Sequence, residues 1–175
     1  MARAERLDQA RRSALVLPWW QPWAAVAGFA ALVHFAWEML QVPYFRDMPT
    51  APHWQAVRTC AVATIGDVVL TLVAYGAVAA AAGSRVWLGR PGAVRMAGYL
   101  LVGIVVTAGV EYLSVHVLGR WAYRPGAPTV LGLGLTPLLQ WLLLPPLTLW
   151  LARGHLGWTT YHPDTPLTPE LEISR

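Results

Sequence analysis

Four apolar blocks, each long enough to cross a bilayer, constrain this chain more than any other feature. They cover residues 23–42, 59–82, 96–118 and 130–151. At 1.5 Å of rise per residue, about 20 helical residues span a hydrocarbon core about 30 Å thick. Only 13% of the residues are charged and 56% are hydrophobic, against about 25% charged in a soluble domain. An ordinary soluble enzyme, a disordered chain and a disulfide scaffold are excluded. The expected fold is all-α, a polytopic four-transmembrane-helix bundle with a polar cavity inside the membrane. Residues 1–22 form an amino-terminal segment, 23–151 the membrane domain and 152–175 a polar tail. The first block is longer than the apolar stretch of a cleaved signal peptide and contains His34 and Glu38, so it reads as a retained helix.

The basic residues set an orientation. All 13 are arginine. Nine of them (Arg3, Arg6, Arg11, Arg12, Arg85, Arg90, Arg95, Arg153 and Arg175) lie on the side of the termini, and four (Arg46, Arg58, Arg120 and Arg124) on the other. The excess places both termini in the cytoplasm, with a bacterial inner membrane as the expected location. The arginines form no dense run with interleaved aromatics, so nucleic acid is not an expected partner. The lone Cys60 allows no internal disulfide and no cysteine-based metal cage.

Residues 43–58 read as a loop carrying Pro43, Pro49, Pro52, His53 and Trp54. Trp19, Trp20, Trp54, Trp121 and Trp158 suit interfacial belts. Pro137, Pro145 and Pro146 should kink or locally unwind the last helix.

The polar residues inside the blocks carry the functional signal. Three of nine acidic residues, Glu38, Asp67 and Glu111, fall there. A charge at the centre of a membrane helix costs about 2.5–3.5 kcal/mol, and such residues face the bundle interior or a cavity. By helical rise, Glu38, His34, Asp67, Glu111 and Gln140 all lie roughly 6–15 Å below the side opposite the termini. Independent helix-locking bonds have no reason to share a depth, whereas a single polar cavity does. Helical spacing agrees. His34, Glu38 and Gln41 share one stripe; Thr64, Asp67 and Thr71 a second; Thr107, Glu111 and Ser114 a third; Thr136 and Gln140 a fourth.

A protonated carboxyl group beside an ionised one can protonate an alkene and remove a proton elsewhere, with a carbocation between. Glu38 is the expected acid, supplied with protons by His34, and Asp67 the base, held charged by Thr64 and Thr71; Glu111 joins them as a catalytic candidate. Trp37, Gln41, Thr71, Tyr112, Gln140 and Trp141 are candidate substrate contacts, the aromatic faces suiting a cation. Tyr75 is a further aromatic candidate.

The stretch LVHFAWEMLQVPYF, with His34 and Glu38 in H-x-x-x-E spacing, resembles the emopamil-binding-protein sterol isomerases of the EXPERA superfamily. Asp67 stands where that resemblance implies an acid in the second helix. Trp141 to Pro145, WLLLP, is similar to the end of the family's N-x-x-W motif. The sequence departs from the pattern in having Leu138 in place of the asparagine, Asp rather than Glu at 67, and Glu111 with no counterpart. The resemblance implies a four- or five-helix bundle with a cavity facing lipid, and an isoprenoid or sterol-like ligand.

Three function classes fit these residues: an intramembrane isomerase or cyclase without a cofactor; a non-catalytic lipid-binding, accessory or assembly subunit; and a haem or metal protein. The second leaves a homodimer or a larger membrane complex open. The third lacks paired Glu-x-x-His motifs, and its haem version would need His34 with His116.

Overall fold

The structure, a computed structural model, describes residues 18–84, 87–89 and 91–157. The sequence-based readings for Arg3, Arg6, Arg11, Arg12, Arg85, Arg90, Trp158, Arg175 and most of the two terminal segments lie outside the described residues.

Four helices are long and apolar enough to cross a membrane. They are α1 (Gln21–Gln41), α2 (His53–Ala81), α3 (Gly92–Tyr112) and α4 (Leu135–His155). A 3-10 turn, Val42–Tyr44, ends α1, and a π-turn, Leu113–Val117, extends α3. The chain is an all-α membrane bundle in which α1 and α3 each pack against both α2 and α4. Both ends of the described chain emerge at one end of the bundle. The opposite, distal end carries residues 42–52 and 118–134.

Packing is inside out relative to a soluble protein. Leu32, Leu40, Val62, Ile65, Leu101, Val105 and Trp150 are exposed on the outer surface, an apolar area that only lipid can cover at no cost. Each helix buries one narrow stripe instead. In α1 it is Val26, Ala30, His34, Glu38 and Gln41; in α3 it is Tyr99, Gly103, Thr107 and Glu111. Successive members lie three or four residues apart, the spacing that stacks side chains along one face.

Several boundaries differ from the sequence reading. Residues His53 and Trp54 open α2 rather than belonging to a loop. Hydropathy marks only the part of a helix inside the hydrocarbon, and this helix continues into the interface behind Pro52. The fourth helix starts at Leu135 rather than at 130 and continues to His155. Residues before it form a hairpin of β1 (Thr129–Val130) and β2 (Leu133–Gly134). Its turn residues Leu131 and Gly132 have φ of 54° and 78°, the double positive φ of a two-residue hairpin turn, which no α-helix accommodates. The unwinding expected at Pro145 and Pro146 is absent, and α4 runs unbroken through both. The adjacent α1 and α3 hold it in place, and Pro137 sits in its first turn, where a missing N–H leaves nothing unpaired.

Aromatic residues close the end nearer the termini. Trp87, in the 3-10 turn Trp87–Gly89, is buried between Tyr75 and Tyr99 and donates its indole N–H to the Tyr75 carbonyl at 3.2 Å. Tyr75 therefore belongs to this plug and not to the polar face. Trp19, Trp20 and Trp54 are exposed, as belt residues should be, and Trp121 is half-buried.

Gly103 lets α4 approach α3. A Cβ there would collide with the Trp141 ring, whereas a Cβ at Gly28 would meet open space. Gly103→Val is expected to destabilise the bundle by about 1–3 kcal/mol, the usual range for overpacking. Gly28→Val should stay within about 0.5 kcal/mol. Reversible unfolding in mixed micelles measures both.

Candidate functional site

Three helices bring His34, Glu38, Asp67 and Gln140 together. The Gln140 amide is the centre. Its Nε2 donates to the Asp67 Oδ2 at 2.8 Å and to the His34 Nδ1 at 2.7 Å. An amide NH2 has two protons, so this fork is complete. It also sets the imidazole tautomer: Nδ1 accepts, and Nε2 carries the ring proton and faces Thr71 Oγ1 at 3.5 Å. His34 Nδ1 lies 3.5 Å from the Asp67 carboxylate. His34, Thr71 and Gln140 are buried, while the Asp67 side chain keeps 18% exposure and gives the cluster an edge at the bundle surface.

Glu38 adjoins this fork from α1. Its Oε1 accepts from Gln41 Nε2 at 2.6 Å, and the Asp67 carboxyl group is close enough to act on it electrostatically. Glu38 and Asp67 thus stand as neighbouring carboxyl groups at one level of the bundle. Cys60 Sγ–H points at the Glu38 backbone carbonyl at 3.6 Å.

Glu111 has partners of its own. Its Oε2 accepts from the Tyr123 hydroxyl at 2.6 Å and from the Gly134 backbone N–H at 3.4 Å. The Trp121 indole lies beside it without closing a hydrogen bond. One turn on, His116 Nε2 donates to the Gly132 carbonyl at 3.0 Å. The outer end of α3 thus holds the 129–134 hairpin. Backbone bonds from Arg46 N to Ala122 O (2.9 Å) and from Arg124 N to Tyr44 O (3.0 Å) stitch the two distal loops together. The Phe45 and Tyr123 rings meet there at 5.1 Å.

The sequence-predicted site residues therefore divide. His34, Glu38, Gln41, Asp67, Thr71 and Gln140 meet. Trp141 borders them, its ring centroid 6.1 Å from that of His34. Trp37 is half-buried, with its indole nitrogen buried. Tyr112 is 56% exposed and stacks against His116, so it faces outward rather than toward the cluster. Thr64 donates to its own helix at the Cys60 carbonyl, 2.8 Å away, and Gln140 takes the role expected of it beside Asp67. His34, Asp67 and Gln140 bond to one another, and Gln41 bonds Glu38. Two surface grooves lie elsewhere, between α1 and α4 around Phe29 and His155.

Tyr123 went unread in the sequence. It stands in a short loop between arginines, where a tyrosine reads as an interfacial anchor. Its only sequence signal is the pairing of a loop phenol with an intramembrane acid, which needs the fold to be visible. Among the described residues, no three His, Cys, Asp or Glu side chains group as metal ligands. His116 is exposed and bonded to the hairpin, so it does not pair with His34 across a haem.

No protein-family model matches the chain, and neither a curated protein nor a solved structure matches it. The reading of the site rests on its geometry.

Replacing Gln140 by Leu strands the Asp67 carboxylate and the His34 ring in one step. A loss of about 1–3 kcal/mol is expected, the usual cost of a buried group left unpaired, measured by unfolding in mixed micelles. Burial, then the bond to the Glu111 carboxylate, pushes the Tyr123 hydroxyl above its ordinary value. A raised folded value means that the tyrosine's contribution is whole below about pH 10, the unfolded value, and is lost as pH rises through the folded one. Alkaline titration should show stability falling above about pH 10 in the native chain, with a smaller decline in Tyr123→Phe.

Proposed function

We propose that this protein is an integral membrane isomerase or cyclase acting on an isoprenoid or sterol-like lipid. The observation that carries the reading is the cluster of His34, Asp67 and Gln140, with Glu38 one turn from His34 on the same buried stripe, in an otherwise apolar bundle. Glu38 gives its proton to an alkene carbon. A C–H bond forms there, and the neighbouring carbon becomes a carbocation. A proton leaves another carbon to the Asp67 carboxylate, and the electrons of that C–H bond become the new double bond. For a cyclase, a second alkene attacks the cation before that loss. The proton then returns from Asp67 to the neighbouring Glu38, so neither redox partner nor cofactor is required. The exposed edge of Asp67 supports entry of substrate from the lipid side. The H-x-x-x-E spacing of His34 and Glu38 supports an EXPERA-like isomerase as the nearest chemistry. The arginine distribution supports cytoplasmic termini in a bacterial inner membrane.

Glu38→Gln keeps size and hydrogen bonding but has no proton to give. Turnover should fall at least about 100-fold, the low end for general acid catalysis, while folding and lipid binding persist. In deuterated water the product should gain one non-exchangeable deuterium, read by mass spectrometry of co-purified and supplied isoprenoids. Full activity in Glu38→Gln rejects the assignment. Tight lipid binding without labelling transfers the reading to a lipid-binding subunit. For orientation, reporter fusions within residues 46–52 and 87–89 should report opposite sides, the first periplasmic.

A further inference from the structure

The two grooves between α1 and α4 take no part in the polar cluster. They measure about 730 and 480 Å³, both within the usual size of a small-molecule site. They share Phe29 and His155, whose rings meet edge to face with centroids 5.8 Å apart. This ring pair is a ridge with a groove on either flank. Trp20, Ala24, Gly28 and Leu32 line the α1 groove; Trp150, Leu151 and Gly154 line the α4 groove. Trp20, Leu32 and Trp150 are exposed, so both grooves open to the lipid side. From Trp20 to Leu32 the first climbs α1 in steps of four residues, about 18 Å at 1.5 Å per residue. One leaflet supplies about 15 Å of the hydrocarbon core. The groove thus runs from headgroup level, where a tryptophan such as Trp20 sits, through the depth of one leaflet. Its floor is unfilled: a Cβ on Gly28 would meet nothing within 4 Å. The second groove follows α4 from His155 to Trp150, about 8 Å. Inside hydrocarbon no water fills such furrows, which leaves a lipid chain or another helix. Two furrows astride one ridge match two chains joined at one head.

Charge at the head end selects the lipid. Gln21 and His155 stand in the groove wall there, and Arg95 and Arg153 belong to the same end of the bundle. The acids among the described residues, Glu38, Asp47, Asp67 and Glu111, all lie at the level of the polar cluster or beyond it toward the distal loops. Among the described residues, then, this end carries positive charge and no carboxylate, the field that draws an anionic headgroup to a site between membrane helices. We infer that the ridge and its grooves hold an anionic diacyl phospholipid of the leaflet nearer the termini, one acyl chain in each groove and the phosphate beside His155 and Gln21. The imidazole N–H and the Gln21 amide N–H donate to the phosphate oxygens. The longer groove takes one chain along most of its length, and the shorter one grips the other near the head. The site is separate from the acid cluster and does not depend on the isomerase reading.

The test counts bound lipid and needs no turnover. The full chain in non-ionic detergent is titrated with dioleoyl phosphatidylglycerol, dioleoyl phosphatidylcholine or single-chain lysophosphatidylglycerol, and native mass spectrometry reads the lipid each protein retains. Phosphatidylglycerol should fill one site at least about fivefold more tightly than phosphatidylcholine, the worth of roughly one basic residue at the membrane surface. It should exceed the single-chain lipid by at least about threefold, since only part of the second chain is gripped. Gly28→Phe puts a ring into the open floor of the first groove. It should weaken phosphatidylglycerol at least about tenfold, the worth of roughly two buried methylenes, with thermal unfolding unchanged. His155→Ala removes half of the ridge and a phosphate donor, and should abolish the preference between headgroups. Gly109→Phe, on the exposed face of α3 where a Cβ also meets nothing within 4 Å, should bind as wild type does. Equal retention of the two headgroups by wild type, or undiminished phosphatidylglycerol on Gly28→Phe, would overturn the proposal. So would a dimeric mass that Gly28→Phe alone converts to monomer, which would make this face a contact between two copies of the chain.

Discussion

One amide holds the interior of this bundle together. Gln140 stands on α4, and its two N–H protons reach His34 on α1 and Asp67 on α2. The second of these bonds crosses the diagonal of the bundle, between helices that are not packing neighbours. In hydrocarbon no water can replace either bond, so the three helices are tied at one depth by groups that have no better partner. The placement of Asp67 near Glu38, the imidazole tautomer and the exposed edge of Asp67 all follow from that fork. Residue 140 is thus more than another polar position on a stripe. It decides whether the two acids face each other at all.

The apolar part of the structure serves this arrangement. Gly103 allows the Trp141 ring to lie on α3, which brings Gln140, the preceding residue, to the axis of the bundle. At one end Trp87 and its tyrosine neighbours form a dry plug. At the other, the distal loops are stitched together and the Tyr123 hydroxyl caps the buried Glu111. The cluster therefore has different surroundings above and below.

Much of this was legible in the sequence, for a physical reason. Block length and the scarcity of charge determine the number of spans, and the three-to-four-residue spacing of His34, Glu38 and Gln41 determines which face is buried. The convergence of Asp67 and Gln140 followed from shared depth. Partner choice did not. Thr64 and Thr71 looked like neighbours of Asp67 because they share its stripe, yet a threonine in a helix bonds its own carbonyl four residues back, as Thr64 does. Glu111 looked like a third member of one cavity, but its partner came from a loop that periodicity cannot describe. Residues 130–134 read as the start of the fourth helix because their leucines are apolar, although Leu131 and Gly132 adopt a positive φ.

The account stands on Asp67 and Gln140 acting as one unit, and a double-mutant cycle tests that directly. Unfolding free energies of wild type, Asp67→Asn, Gln140→Leu and the double variant in mixed micelles give their coupling energy. Interhelical hydrogen bonds in membrane proteins average about 0.6 kcal/mol and reach about 1.7. A fork that holds two buried polar groups from different helices predicts coupling above about 1 kcal/mol. Additive effects, with coupling near zero, would mean that the two residues do not meet, and the acid–base pair built on their contact would fall with it.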